Sequence, residues 1–272
     1  MLDYLNLLKK ISSQVREGVI KLIERGFDVF SEKLGLNPSM QFTRRIDKIA
    51  EDITMKIIEE EEVPTYLISE EVGEKVIGEG EPEIFIVLDP VDGTRNALQR
   101  IPFFSTSLAL GEYKDSIRTS SVNVALVKDI YSNTTFHAER GKGSYEDGKR
   151  INTSSVSKAD NSLISLYAYR ANINFDKYVK ITRAAKIRTL GSQALELCYV
   201  AAGRIDACID FRGVSRVVDI SAAKLILEEA GGLFRDINGL EFNPSLKHAS
   251  TFSFIAAPNS AYLADLMMLL SG

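Results

Sequence analysis

The chain opens on a helical period. Leu8, Ile11, Val15, Val19 and Leu22 recur at spacings of three and four, with Lys and Glu between them, so one stripe of a helix is apolar. A second helix is predicted over 45–60, where Ile46, Ile49, Ala50, Ile53 and Ile57 share a face. The stretch 31–42 between them holds Gly35, Asn37 and Pro38 and reads as a loop. Beyond residue 60 the period shortens. Residues 66–69, 84–88, 105–110, 121–127 and 131–139 have strand length and composition. The run 84–88 is continuously apolar and ends at Asp89, as a strand buried on both faces would. The Gly- and Glu-rich stretch 72–83 reads as an exposed loop. Gly141-Lys142-Gly143 and Asp147-Gly148 read as turns, since two glycines alone do not make a dinucleotide fingerprint.

From residue 163 strands and helices alternate. Strands are predicted at 163–166, 187–190, 205–210 and 252–256, and helices at 175–185, 193–202, 219–230 and 259–270. Gly203 and the pair Gly231-Gly232 stop two of these helices. The pattern is α+β passing into α/β, with two sheets and helices in layers. A soft boundary falls near 152–161. It separates an N-terminal α+β half, 1–155, from a C-terminal α/β half, 156–272.

Composition removes several function classes. Lys plus Arg is 33 and Asp plus Glu is 37, so the net charge of −4 argues against nucleic-acid binding by bulk electrostatics. An anionic ligand would need local cations to offset that background. Two cysteines, Cys198 and Cys208, rule out a disulfide scaffold or a four-Cys metal site, and their apolar neighbours mark them as core thiols. Two histidines, His137 and His248, rule out a three-His zinc site and argue against a Ser-His-Asp triad. No segment reaches the roughly 18 apolar residues of a membrane span. The first ten residues lack a secretory apolar core, so no membrane partner is expected and the expected location is the cytoplasm. The sequon Asn133-Thr134-Thr135 is then read as chance.

Three acidic blocks carry the candidate chemistry. The first is Glu70-Glu71, at a strand end, which alone reads as a solvated acidic pair. The second is Asp89-Pro90-Val91-Asp92-Gly93-Thr94, which alone reads as a Pro-Asp-Gly turn. Two features go against that bland reading. The acids follow a buried strand, where α/β proteins place ligands. Thr94 then opens a short helix whose free N–H groups suit a phosphate. The third block is Asp219 at a helix start, where an N-cap role and an oxygen offered to a metal can coexist. Carboxylates converging on one point repel unless cations lie between them, and oxygen donors of this kind suit Mg²⁺ or Mn²⁺. A pair of such ions can clamp a phosphate and activate water.

Together, in this order and spacing, Glu70-Glu71, Asp89 to Thr94, and Asp219-Ile-Ser-Ala-Ala-Lys-Leu-Ile-Leu-Glu-Glu-Ala-Gly-Gly232 resemble the inositol monophosphatase family. That family lies within the superfamily of fructose-1,6-bisphosphatases and 3′-phosphonucleotidases. The resemblance runs from the first helix to the last strand. It implies a layered αβαβα sandwich, a dimer, and metal ligation by Glu70, Asp89, Asp92 and Asp219 with the Val91 carbonyl, holding two or three Mg²⁺ ions or Mn²⁺ in their place. Asp47 and Thr94 match the pair that orients and activates the attacking water. Without the resemblance, Asp47 reads as an ordinary helix-surface acid. Gly93 and Thr94 match the phosphate-contacting turn, and the turn through Arg188, Gly191 and Ser192 resembles the substrate side.

Two departures bear on the substrate. The family's usual Trp before the last metal ligand is Val218, and the stretch from Asp210 through Arg212 to Arg216 is longer than its usual counterpart. Both features look closer to archaeal-type members with dual inositol monophosphatase and fructose-1,6-bisphosphatase activity. The implied substrate is a small phosphorylated sugar or inositol. A bisphosphate would need a cation for its distal phosphate, for which Arg170, Arg188, Arg212 and Arg216 are the candidates. The alternatives are a 3′-phosphonucleotide phosphatase and a non-catalytic scaffold on the same fold.

Overall fold

A computed structural model describes residues 3–38, 40, 42–169, 175–247 and 250–271. Arg170 and His248 lie outside the described residues. The chain begins with α1 (Tyr4–Glu24), α2 (Phe27–Phe30), the paired strands β1 (Lys33–Leu36) and β2 (Phe42–Arg44), and α3 (Arg45–Glu60). The side chain of Asp3 caps α1 by accepting the Asn6 N–H at 3.1 Å. The stretch 31–42, expected as a loop, therefore contains an antiparallel hairpin strand. Its residues β1 are all exposed, so no alternation of buried and exposed positions marked them.

The first sheet is built from β3 (Thr65–Ser69), β4 (Gly73–Ile77), β5 (Ile84–Asp92), then, after the short helix α4 (Thr94–Leu98), from β6 (Ser105–Glu112), β7 (Val124–Asp129), β8 (Thr135–Glu139), β9 (Gly143–Glu146) and β10 (Lys149–Ile151). Its order is β10-β9-β8-β7-β6-β5-β3-β4, and only β3 and β5 run parallel. Strand β4 replaces part of the expected loop 72–83. It is an edge strand whose Glu74, Lys75 and Val76 face solvent, and charge on an edge hides the strand signal.

The second half supplies β11 (Leu163–Tyr167), α5 (Phe175–Ala184), β12 (Lys186–Arg188), α6 (Gln193–Ala201), β13 (Ala207–Ser215), α7 (Val217–Glu229), β14 (Leu233–Asp236), β15 (Phe252–Ala257) and α8 (Ser260–Ser271). The second sheet has the order β12-β11-β13-β15-β14. Strand β13 runs past Asp210 to Ser215, five residues beyond the expected end. The extension carries Arg212 and a left-handed Gly213 at φ 67°, which break the apolar pattern. Strand β14 is short and had no sequence expectation.

Alternation along the strands makes the layers. On β5, Ile84, Ile86 and Leu88 pack with α1 and α3, through Leu8, Ile11, Val15, Ile46 and Ile57. Phe85 and Val87 face the other way, into a core with α6, α7 and the inner face of the second sheet. The outer face of that sheet, through Ile164, Ile209 and Ile255, packs on Tyr262, Leu266 and Leu270 of α8 and Ile181 of α5. The result is the expected α/β/α/β/α sandwich with three apolar seams. Helices α6 and α7 are buried nearly all round, as helices between two sheets must be. Both cysteines lie in the middle seam as buried thiols.

Candidate active site

Because β3 and β5 are parallel, their carboxyl ends leave the sheet on one side. Glu70 follows β3 and keeps to the ladder, its N–H donating to the Leu88 carbonyl at 3.3 Å. Asp89 pairs with Ser107 of β6 and Asp92 with Ser105, three residues against two, so β5 bulges there. Gly93 then takes φ 87°. A Cβ at that position would stand 3.2 Å from the carbonyls of Gly191 and Phe103. Glycine lets the chain turn sharply enough to put Thr94 at the first residue of α4.

Two helix starts bring in the remaining acids. Asp47 and Asp219 each sit three residues after the N-cap of their helix, α3 and α7. One oxygen of each closes the cap: Asp47 Oδ2 accepts the Arg44 backbone N–H at 3.1 Å and Asp219 Oδ2 that of Arg216 at 2.7 Å. Helix α7 thus begins at Val217, two residues before the position expected from the sequence. Asp47 is buried, 4% exposed, and not a surface acid. Its Oδ1 lies 3.1 Å from the Thr94 hydroxyl, which is also 2.9 Å from the Val91 carbonyl.

One oxygen from each of Glu70, Asp89 and Asp219 falls within 4.8 Å of the others. Burial pushes the Glu70 carboxyl up to about 7, Arg216 pulling the other way and Asp219 adding to the rise. Burial also raises Asp92 to about 7, against hydrogen bonds from Ser192 and the Ala194 N–H. Asp89 is raised well above the ordinary carboxylate range by burial and by Glu70, Asp92 and Asp219. Asp47 is raised well above it by burial and by Glu71 and Glu70. Arg216 lies among these acids, its Nη2 2.7 Å from both Glu70 Oε1 and Asp219 Oδ1.

The substrate-side turn packs on the same point. Asp92 Oδ2 accepts from the Ser192 hydroxyl and, at 2.7 Å, from the Ala194 N–H at the start of α6. Gly191, at φ 95°, lies against Gly93 and Asn96. Buried Asp210 accepts from Gln193 Nε2 at 2.5 Å, from Ser215 Oγ at 2.7 Å and from Arg212 Nη2 at 2.7 Å. The Arg212 guanidinium stands 4.4 Å from the Tyr167 ring centre and 4.8 Å from that of Tyr169. Arg188 is exposed at the end of β12 and donates to the Ile187 carbonyl at 2.8 Å. Of the four candidate arginines, Arg212 and Arg216 are therefore bound to acids, Arg188 is exposed and bonded to a backbone carbonyl, and Arg170 lies outside the described residues.

A model of the inositol monophosphatase family matches residues 5–267. The chain belongs to this family. It is 35% identical over 267 residues to a fructose-1,6-bisphosphatase/inositol-1-monophosphatase of Methanothermobacter thermautotrophicus, covering 96% of this chain and 94% of that protein. It is 37% identical over 270 residues to a bifunctional NADP phosphatase/NAD kinase of Methanococcus maripaludis. That match covers 94% of this chain but 47% of the relative, so the chain spans about half its length. A crystal structure of an inositol monophosphatase–fructose 1,6-bisphosphatase superposes with a TM-score of 0.83 at 28% identity, covering 99% of this chain and all 100% of that one.

The acids of this family member fit a divalent metal on their own chemistry. The donors are hard carboxylate oxygens. Asp89 is 2% exposed and its Oδ1 has no hydrogen-bond partner among the described residues. A buried, unpartnered carboxylate oxygen facing two other acids is costly unless a cation joins them. Two supporting residues escaped the sequence reading. Asn96 Nδ2 donates to the carbonyls of Phe103, at 2.8 Å, and Leu190, at 2.7 Å, tying the Gly93 turn to the Gly191 turn. Buried Glu196 accepts the Leu190 N–H and fixes that turn from behind. Asn96 left no signal in the sequence; Glu196 did, as a single acid inside the apolar run of α6. A concavity of about 570 Å³ beside Lys9 and His137 shares no residue with the carboxylates.

Proposed function

We propose that the chain is a Mg²⁺-dependent phosphomonoesterase acting on inositol 1-phosphate and fructose 1,6-bisphosphate, with Mn²⁺ able to replace Mg²⁺ and two or three ions per site. The observation that carries this reading is the convergence of Glu70, Asp89 and Asp219 beside the Thr94–Asp47 pair, with Asp92 near enough to Asp219 to feel its charge. Glu70, Asp89 and Asp219, with Asp92 and the Val91 carbonyl, would hold the ions. Bound divalent cations supply charge neutralisation at the phosphate and make water acidic enough to attack. The Thr94 hydroxyl can donate to Asp47 while accepting from a water, which leaves a lone pair of that water aimed at phosphorus. Asp47, raised in pKa by burial and acidic neighbours, takes the proton more readily than a solvated Asp. The N–H groups at the start of α4 face the transferred phosphate. Ser192 and Ala194 hold Asp92, and Glu196 and Asn96 hold the turn against which the organic part of the substrate rests.

A second reading is favoured by one observation. Tyr169 is 55% exposed, and its ring lies on the Arg212 guanidinium, which Asp210 holds in place. Such a platform can stack a nucleobase. A nucleotide phosphate such as NADP is therefore the competing substrate. Phosphate release measured as kcat/KM for inositol 1-phosphate, fructose 1,6-bisphosphate, NADP and a 3′-phosphonucleotide decides between them. Highest values for the first two, dependent on Mg²⁺ and abolished by chelation, are expected. NADP ahead of both, with loss on Tyr169→Ala, would establish the second reading, and no turnover of any of them would leave a scaffold. Cytoplasmic location and a homodimer belong to the same proposal. Among the described residues no helix is long and apolar enough to cross a membrane. Leu36 and Phe42, paired across the β1–β2 hairpin, are both more than half exposed, and apolar side chains grouped on a surface favour association. Sedimentation equilibrium checks the dimer.

A further inference from the structure

Arg216 is the N-cap residue of α7, and its backbone N–H is already spent on Asp219 Oδ2 at 2.7 Å. Its guanidinium folds back over the same acid. Nε lies 3.3 Å from Asp219 Oδ2 and Nη2 lies 2.7 Å from Asp219 Oδ1. The same Nη2 stands 2.7 Å from Glu70 Oε1, so one nitrogen is shared between acids from two different elements. The side chain is 16% exposed, and Val217, Val218 and Leu246 line the small cavity of about 80 Å³ that it shares with Glu70. This is not a surface arginine drifting toward acids. Burial works against its charge, and the pairing with Asp219 and Glu70 outweighs that cost and holds the guanidinium well above its ordinary value.

The two carboxylates that hold Arg216 are among those that the proposed function assigns to a divalent ion. A carboxylate oxygen has room for two partners, but a nitrogen midway between Glu70 Oε1 and Asp219 Oδ1 takes the position from which a cation would reach both. We infer that Arg216 is a built-in counter-ion that competes with the divalent metal for Glu70 and Asp219, setting the metal affinity of the site. The inference rests on the metal reading of these acids. It goes further by giving Arg216 a role toward the metal rather than toward a distal phosphate. Its physical content is an exchange. Metal entry costs the charge-assisted bonds from Nη2 to Glu70 and Asp219, while the shared nitrogen meanwhile keeps Glu70 and Asp219 close together against their repulsion.

The test is calorimetric titration of Mg²⁺ and of Mn²⁺ into chelator-treated protein without substrate, beside thermal melts of the same samples. Arg216→Met keeps the length of the side chain and removes its charge. It should bind either ion at least about tenfold more tightly than the natural protein, the scale of one charged hydrogen bond given up. The same variant should melt lower in chelator and gain more from added metal. Arg216→Lys keeps a charge that cannot span both acids and should fall between the two; it also serves if the Met variant fails to fold. Unchanged or weaker metal binding in both variants would overturn the inference, since an arginine that merely orients the acids lowers affinity when removed. Absence of metal binding in the natural protein, or its survival undiminished in Asp89→Asn, would instead strike the metal reading itself.

Discussion

At the scale of single residues, the site depends on acids placed where water is scarce. Thr94→Ala removes a hydroxyl that lies within hydrogen-bond distance of both Asp47 and Val91. Its kcat should drop about 100-fold or more with little change in KM, because orienting a nucleophile matters chiefly in the transition state. Asp47→Asn should behave alike; a pure KM effect would move Thr94 to phosphate docking. Titration gives a second prediction. Asp92 and Glu70 rise from 3.8 and 4.5 to about 7 in the folded chain. Between those values the folded protein holds protons that the unfolded chain has released. Stability from these groups is therefore full below about pH 4 and is lost as pH rises toward 7. In chelator, melting temperature should fall from pH 5 to pH 7.5, and Asp92→Asn should flatten that slope. An equal slope in the variant would remove Asp92 from the account.

At the scale of elements, the site is a meeting of helix starts and strand ends. Asp47 and Asp219 come from the first turns of α3 and α7, Thr94 opens α4, and Asp92 accepts an N–H from the first turn of α6. The helix periods of α1 and α3 and the buried run of β5 were legible because one or both faces enter an apolar seam. The pairing of β1 with β2 and the edge strand β4 were not, because their side chains face solvent and leave no periodicity. The Gly93 turn is the element on which the rest hangs. Gly93→Ala combines a left-handed φ with two carbonyls at 3.2 Å. It should cost about 1–3 kcal/mol in urea unfolding and take most of the activity with it. A stable, fully active variant would show that the turn can relax without moving Thr94.

At the scale of the molecule, α6 and α7 form the layer shared by both sheets, so the halves cannot lose their cores independently. Ile226, fully buried in α7, packs in that middle seam. Ile226→Ala should lower stability by about 2–5 kcal/mol within one transition. The chain has no tryptophan, so far-UV circular dichroism and tyrosine fluorescence are the probes. Two separate transitions would show that the sheets unfold apart. The acidic net charge of −4 also has a place at this scale. Acids concentrated at one end of the sandwich need cations there, whether Arg216 or a divalent ion, before an anionic substrate can approach.

By itself, the sequence determined the layered class of the fold and marked out the three acidic blocks, though not the burial of Asp47. Apolar periodicity reports which faces are buried, and the three acidic blocks are local patterns whose order survives in one dimension. Tertiary structure alone decided what those acids touch. Asp47 and Thr94 are 47 residues apart, Arg216 and Glu70 are 146 apart, and Asn96 and Leu190 are 94 apart. No local pattern encodes such distances. They follow from the parallel register of β3 on β5 and from the seating of α3, α6 and α7 around the same sheet ends. That seating is why Arg216, read from the sequence as a candidate for phosphate, is found on two carboxylates: a partly buried guanidinium takes the nearest acids that can satisfy it.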